Sequence, residues 1–267
     1  MTPKTAPTAP TLEELLLYAP VPGLLKDRII LVTGAAEGIG RAVALACARN
    51  GASTVLLDVN EAGLEALRAD MTAESLSPPE LVLMDLATAT VADYRKLAET
   101  LGERYGRLDG LVNNAGWIGA LTPFEHVNPQ DWSRAVTVNL LAPFFLTQWC
   151  MRLLTRSADP ALVFSLHDVR RSFWGGYAVA KGGLEALMRV IADEYHPQSM
   201  HPVRVFGIDT GPVNTEARRR NYPGERPDAH PSPEDVVGPY LFALGSEARG
   251  LSGVILAAQA GETRTPG

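Results

Sequence analysis

The sequence predicts an α/β protein built on one doubly wound parallel sheet of about seven strands, with helices on both faces. Three observations carry this. From Arg28 onward, short apolar runs alternate with longer amphipathic stretches. The runs are continuously apolar, as strands buried on both faces must be. The connections are short and helical, as parallel βαβ units require.

Each element follows from its own stretch. Ile29–Val32 reads as a strand and Ile39–Asn50 as a helix. Thr54–Leu57 is a strand, followed by a helix over Glu61–Met71. Leu81–Met84 is a strand, then Val91–Tyr105 a helix. Leu108–Asn113 is a strand, followed by a long helical region over Pro129–Thr155. Ala161–Leu166 is a strand and Gly176–Tyr195 a helix. Val203–Ile208 and Gly253–Leu256 complete the sheet. Ser232-Pro233-Glu234-Asp235 reads as a helix start, with serine capping, proline at the first helical position and acids facing the dipole. Residues 209–231 lack periodicity. A loop of that length in a compact domain is usually functional, and a lid is expected there.

The 267 residues suffice for one large core. The unbroken strand–helix series argues for a single domain over 25–267. Residues 1–24 are expected as a Pro- and Thr-rich arm with one short helix near Leu12–Tyr18. The net charge is −6, which offers no basic surface to nucleic acid or an anionic membrane. Neither a signal peptide nor a transmembrane stretch is legible, so a cytoplasmic protein is expected. Cys47 and Cys150 lie in apolar helical stretches and read as buried, reduced thiols. His126, His196, His201 and His230 show no metal-ligand spacing, and no metal is expected.

Chemistry first appears after the first strand, in Thr33-Gly34-Ala35-Ala36-Glu37-Gly38-Ile39-Gly40. Gly34 allows the tight turn. Gly38 lets the backbone approach a pyrophosphate, and Gly40 lets the helix pack on the strand. The helix N-terminus then offers free N–H groups and a positive dipole to phosphates. Glu37 and Ile39 belong to the same loop. The second strand ends in Asp58, where an acid can bind the adenosine ribose hydroxyls. A carboxylate there repels a 2′-phosphate, and Glu37 adds negative charge on the same side. The expected cofactor is therefore NAD(H), with NADP(H) disfavoured. Asp58 can also cap the following helix.

With this loop, Asn113-Asn114-Ala115-Gly116 and Tyr177-x-x-x-Lys181 together, the chain resembles the short-chain dehydrogenase/reductase family over about residues 26–258. Trp174-Gly175-Gly176-Tyr177 and the closing Ala258-Gln259-Ala260-Gly261 also resemble a bacterial subgroup of uncharacterised oxidoreductases. The resemblance implies a Rossmann-type sheet and several roles. Asp85 and Leu86, after the third strand, would contact the adenine. Asn114, Ala115 and Gly116 would border the cofactor. Asn139 would hold a water in a proton relay, or else bend or cap a helix. The run Asp209-Thr210-Gly211-Pro212-Val213-Asn214-Thr215 departs from the family, with Thr210 standing where a proline is usual. Val213 and Thr215 would still lie near the nicotinamide amide. The family also implies a homodimer or homotetramer formed through helices 90–105, 129–155 and 176–195.

Tyr177 and Lys181 are four apart and share one helix face. A free phenol has a pKa of ~10, too high for a base near neutrality. Lowering it by ~3 units requires ~4 kcal/mol, about what one ammonium ~4 Å away supplies at an effective dielectric of ~20. Tyr177 would then exchange the alcohol proton. By the resemblance, Lys181 would also bind the nicotinamide ribose.

The serine that normally accompanies this pair is not obvious. Counting back from Tyr177 favours Ser165. Counting along the strand favours His167, because Leu166 and His167 then fill the two slots at the strand end. Strand position fixes direction while loops tolerate deletion, so the reading leans to His167. A neutral imidazole N–H can donate to a carbonyl, and Asp168 could orient the ring. Arg218-Arg219-Arg220, in the lid, reads as a solvated face or as a contact for an anionic substrate. Trp117 and Trp174 read as pocket wall or as core. The expected function is hydride transfer between NAD(H) and a secondary alcohol or ketone, with a small carbonyl or alcohol substrate as partner. The alternative is an NAD(H)-binding sensor or scaffold without efficient catalysis, motivated by Leu166–Asp168 and Thr210.

Overall fold

The structure is a computed structural model and describes residues 8–226 and 228–260. Seven strands form one sheet: β1 (Ile29–Thr33), β2 (Ser53–Asp58), β3 (Glu80–Leu83), β4 (Gly110–Asn113), β5 (Ala161–Leu166), β6 (Arg204–Asp209) and β7 (Val254–Ala257). Their order is β3-β2-β1-β4-β5-β6-β7 and every pairing is parallel. The chain runs outward from β1 to β3, then returns to β4 on the other side of β1. That reversal opens a crevice at the carboxyl ends of β1 and β4, where ligands of such sheets bind.

Helices cover both faces. On one lie α1 (Leu12–Leu16), α2 (Gly38–Arg49), α3 (Glu61–Ala73) and α9 (Gly238–Leu244). On the other lie α4 (Val91–Tyr105), α6 (Ala142–Leu154) and α7 (Gly175–Glu194). Strand β1 shows why the runs are apolar throughout. Ile30 and Val32 enter the first core, while Ile29 and Leu31 enter the second.

The expected elements recur, with three differences. The stretch 129–155 is not one helix. It divides into α5 (Pro129–Val136), a π-helical turn (Thr137–Leu141) and α6. The helix expected from Ser232 is a single 3-10 turn, Glu234–Val236, and α9 restarts at Gly238. Pro239 lacks the N–H that would continue the ladder to Asp235. The aperiodic lid contains a short helix, α8 (Glu216–Asn221), capped by Thr215. The stretch expected as an arm lies against the body over its described part. Leu15 is buried in the first core, and the Tyr18 ring meets Phe242 edge-on at 5.7 Å. Cys47 and Cys150 are buried free thiols, each pushed up to about 12 by burial.

Candidate active site

The carboxyl ends of β1, β2, β4 and β5, together with the lid, enclose a cleft of about 760 Å³. It brings together residues the sequence could only suggest separately. The end expected to take the adenosine carries Gly34, Glu37, Gly38, Ile39, Asp58, Asp85 and Leu86, and Asn114, Ala115 and Gly116 border its middle. At the other end stand Ser165, His167, Tyr177, Lys181, Val213 and Thr215. Gly40 lies beneath the loop, and Asn139 is buried behind it.

The glycine loop is a cradle that side chains would fill. A Cβ on Gly40 would stand 1.9 Å from the Gly34 carbonyl oxygen. Gly34 has φ +67°, and a Cβ there would reach Ala115 Cα at 2.8 Å. Gly38 has φ +55°, and a Cβ there would stand 3.3 Å from the Thr215 methyl, so the lid root closes over the loop. Thr33, just before the loop, ties it to β4, because its Oγ1 accepts the Asn114 and Ala115 N–H groups at 3.0 Å each. The Asn114 amide donates to the Thr33 carbonyl at 3.1 Å. These groups fit a dinucleotide's pyrophosphate at the N-terminus of α2.

Asp58 accepts from the Ala36 and Asn60 N–H groups at 2.9 Å each. Its charge is thus fixed at the cleft edge. The cap of α3 is Asn60, not Asp58, and accepts from the Gly63 N–H at 3.0 Å. Asp85 closes a turn by accepting from the Ala87 N–H at 2.9 Å.

At the other end, the two serine-slot candidates meet different partners, because β5 ends at Leu166 and His167 leaves the strand's alternation. Ser165 is buried toward α9. Its hydroxyl lies 2.7 Å from the Tyr240 hydroxyl and donates to Asn114 Oδ1 at 3.2 Å. His167 faces the tyrosine, with Nδ1 3.4 Å from Tyr177 Oη. Trp174 holds the imidazole edge-on at 5.5 Å between centroids. Burial first, then the Lys181 charge, hold His167 down at about 4, so the ring is neutral near neutral pH. Asp168 takes the Arg170 guanidinium at 2.8 and 3.0 Å.

Tyr177 and Lys181 are both buried on α7. Lys181 Nζ donates to the Ser165 carbonyl at 2.7 Å and lies 5.6 Å from the Tyr177 ring centroid. The expectation that lysine draws the phenol down is not met in the protein alone. Burial first, then the Asp209 carboxylate, raise Tyr177 above the ordinary phenol range. Burial also lowers Lys181, to about 8, and its ammonium is turned onto the Ser165 carbonyl.

Asn139 sits in the π-helical turn and is fully buried. Its amide donates to the Trp117 and Ala135 carbonyls at 2.8 Å each, and Oδ1 accepts from the Trp117 N–H at 3.2 Å. Both amide protons are therefore engaged in clamping the loop after Gly116. Thr210, the departure from the family pattern, has a use that proline lacks: its N–H donates to the Leu166 carbonyl at 3.4 Å. Val213 is buried beneath the lid.

Four contributors escaped the sequence reading. Thr33 is signalled only by a hydroxyl at a strand end beside the glycines. Gln259, which donates to the Thr210 and Pro212 carbonyls at 2.5 and 2.9 Å, was visible in the Ala-Gln-Ala-Gly end. Tyr240 touches Ser165 across 75 residues of chain, with no local signal. Arg134 lies over the Trp117 ring at 5.0 Å and also lines the cleft. Trp117 and Trp174 are cleft walls. The lid arginines are paired, Arg218 with Glu225, and Arg219 and Arg220 with Glu216. Among the described residues no cluster of His, Cys, Asp or Glu has the arrangement of a metal site.

A parallel sheet with its cleft at the switch point, a glycine cradle and a buried Tyr–Lys pair define a nucleotide-dependent oxidoreductase. Residues 28–226 match the short chain dehydrogenase family, and the chain belongs to it. It is 39% identical over 253 residues to the uncharacterised oxidoreductase YciK of Escherichia coli, covering 94% of this chain and 98% of that protein. A short chain dehydrogenase from Shigella flexneri superposes with TM-score 0.88 at 37% identity, over 94% of this chain and 98% of its own. A further Escherichia coli chain, complexed with NADPH, superposes with TM-score 0.86 at 38% identity, over 90% of this chain and all (100%) of its own. The family binds nicotinamide cofactors and acts on small molecules. Among the described residues no helix is long and apolar enough to cross a membrane.

Proposed function

We propose that the protein transfers hydride reversibly between NAD(H) and a secondary alcohol or ketone, with Tyr177 as the acid/base. The observation that carries this is the convergence of Tyr177, Lys181 and His167 in the cleft that also holds the glycine cradle. A bound nicotinamide supplies or accepts the hydride. In reduction, the Tyr177 phenol gives its proton to the carbonyl oxygen, and its raised pKa keeps that proton in place near neutrality. The neutral His167 ring donates an N–H to the same oxygen, in the serine's role. Lys181 holds the Ser165 carbonyl and so fixes the strand end beside the phenol. Asn139 acts by clamping Trp117, and its engaged amide leaves no side-chain proton for a relay water.

The preference for NAD(H) rests on Asp58, since a second negative group beside its fixed carboxylate is repelled. The NADPH complex of the Escherichia coli chain supports the opposite preference and makes the comparison decisive. The two buried thiols support a reducing, cytoplasmic setting. Leu141, Phe144, Val179 and Val190 are exposed on the long helices and support a homodimer or homotetramer. Sedimentation should then give a mass of two or four chains, and a monomer across the micromolar range would contradict it.

Tyr177→Phe should lower turnover by about 10²- to 10⁴-fold while NADH binding is retained. A second reading, binding without efficient catalysis, is favoured by the protonated, buried phenol and the engaged lysine. NADH binding with no turnover over a broad carbonyl panel would establish that reading in place of the first.

A further inference from the structure

We infer that the substrate carries an anionic group, and that Arg134 receives it. This rests on the cleft being a carbonyl site. Three arginines line the cleft: Arg134, Arg218 and Arg220. Arg218 is neutralised by Glu225 at 2.6 and 2.7 Å, and Arg220 meets Glu216 at 3.4 Å. Arg134 has no carboxylate partner among the described residues, in a chain of net charge −6. The carboxylates lining the cleft, Glu37, Asp58 and Asp85, stand at its adenosine end.

Arg134 is also held in place. Its guanidinium lies 5.0 Å from the Trp117 ring centroid. That ring is itself fixed. Asn139 clamps the Trp117 backbone from both sides, and Gly119, at φ +75°, closes against the indole so tightly that a Cβ would stand 2.8 Å from it. A planar guanidinium stacked on a rigid ring loses less freedom on binding than a free one, and its fork matches a carboxylate. One turn further on, Val138 lines the same cleft, and Trp174 and Tyr222 supply its aromatic wall. The chemistry that fits is an aromatic or apolar ketone bearing a carboxylate, its body on the rings and its charge at Arg134.

The test titrates the full-length, NADH-loaded protein with phenylglyoxylate, benzoylpropanoate and benzoylbutanoate, and with the methyl ester of each. Tryptophan fluorescence reads the binding, and turnover is recorded separately. At least one acid should bind about tenfold or more tightly than its ester, the range of a hydrogen bond to a charged group. Arg134→Gln should abolish that preference and Arg134→Lys should keep part of it, both with unchanged NADH affinity. Acids that bind no better than their esters would overturn the inference. So would a preference that survives in Arg134→Gln. Acid preference without turnover would uphold the anion site while removing the catalytic reading.

Discussion

We propose His167 for the place of the expected hydroxyl because of what surrounds its ring. The ring is packed by Trp174, faces Tyr177, and is kept neutral by burial. The same burial has a cost at low pH. With the folded value near 4 and the unfolded one at 6.5, the unfolded chain binds more protons between them. Stability must therefore fall as pH drops through that window, by at most about 1.4 kcal/mol per pH unit for one proton. Urea unfolding at about pH 7 and pH 5 should show this loss, and His167→Gln should reduce it. Equal pH dependence in both proteins would place the ring in solvent. Lys181 behaves likewise at higher pH, where its penalty is relieved as pH rises from about 8 toward 10.5. At this scale the sequence located Tyr177, Lys181 and the two serine-slot candidates by spacing. It did not give their charge states, because burial decides those, and burial is set by residues far away in the chain.

Among the elements, the strands were the most legible, since a parallel strand covered on both faces has to be apolar throughout. The lid was the least, because Glu216–Asn221 has no apolar face and is marked only by its Thr215 cap. The π-helical turn was not visible either, since its one-residue widening leaves the apolar pattern of 129–155 intact. At the end of the sheet away from the cleft, Asp159 joins three elements by meeting Arg28 at 3.2 Å, Arg204 at 2.9 Å and Arg249 at 3.1 Å. Burial alone would raise this carboxyl, but Arg204 and Arg28 outweigh it and hold it below the usual range. Removing the charge leaves two largely buried guanidiniums unpaired, so Asp159→Asn should cost about 3–5 kcal/mol. Denaturant unfolding at neutral pH checks this. A loss below about 1 kcal/mol would mean the cluster is solvated, as surface pairs are.

For the whole molecule, strand order is what converts scattered motifs into a site. Because the chain reverses between β3 and β4, the glycine loop, Asn114 and the β5 end meet at one crevice. The sequence announced that crevice through the alternation of strands and helices. It was silent on Tyr240 and Arg134, whose positions depend on how the faces close. The central claim is that this crevice takes NAD(H) and that Asp58 sets the choice. Its most direct test is a fluorescence titration of the purified protein with NADH and, separately, with NADPH. Tight NADH and at least tenfold weaker NADPH is the expected result. Equal or tighter NADPH binding would contradict the role of Asp58 and align this chain with its NADPH-bound relative.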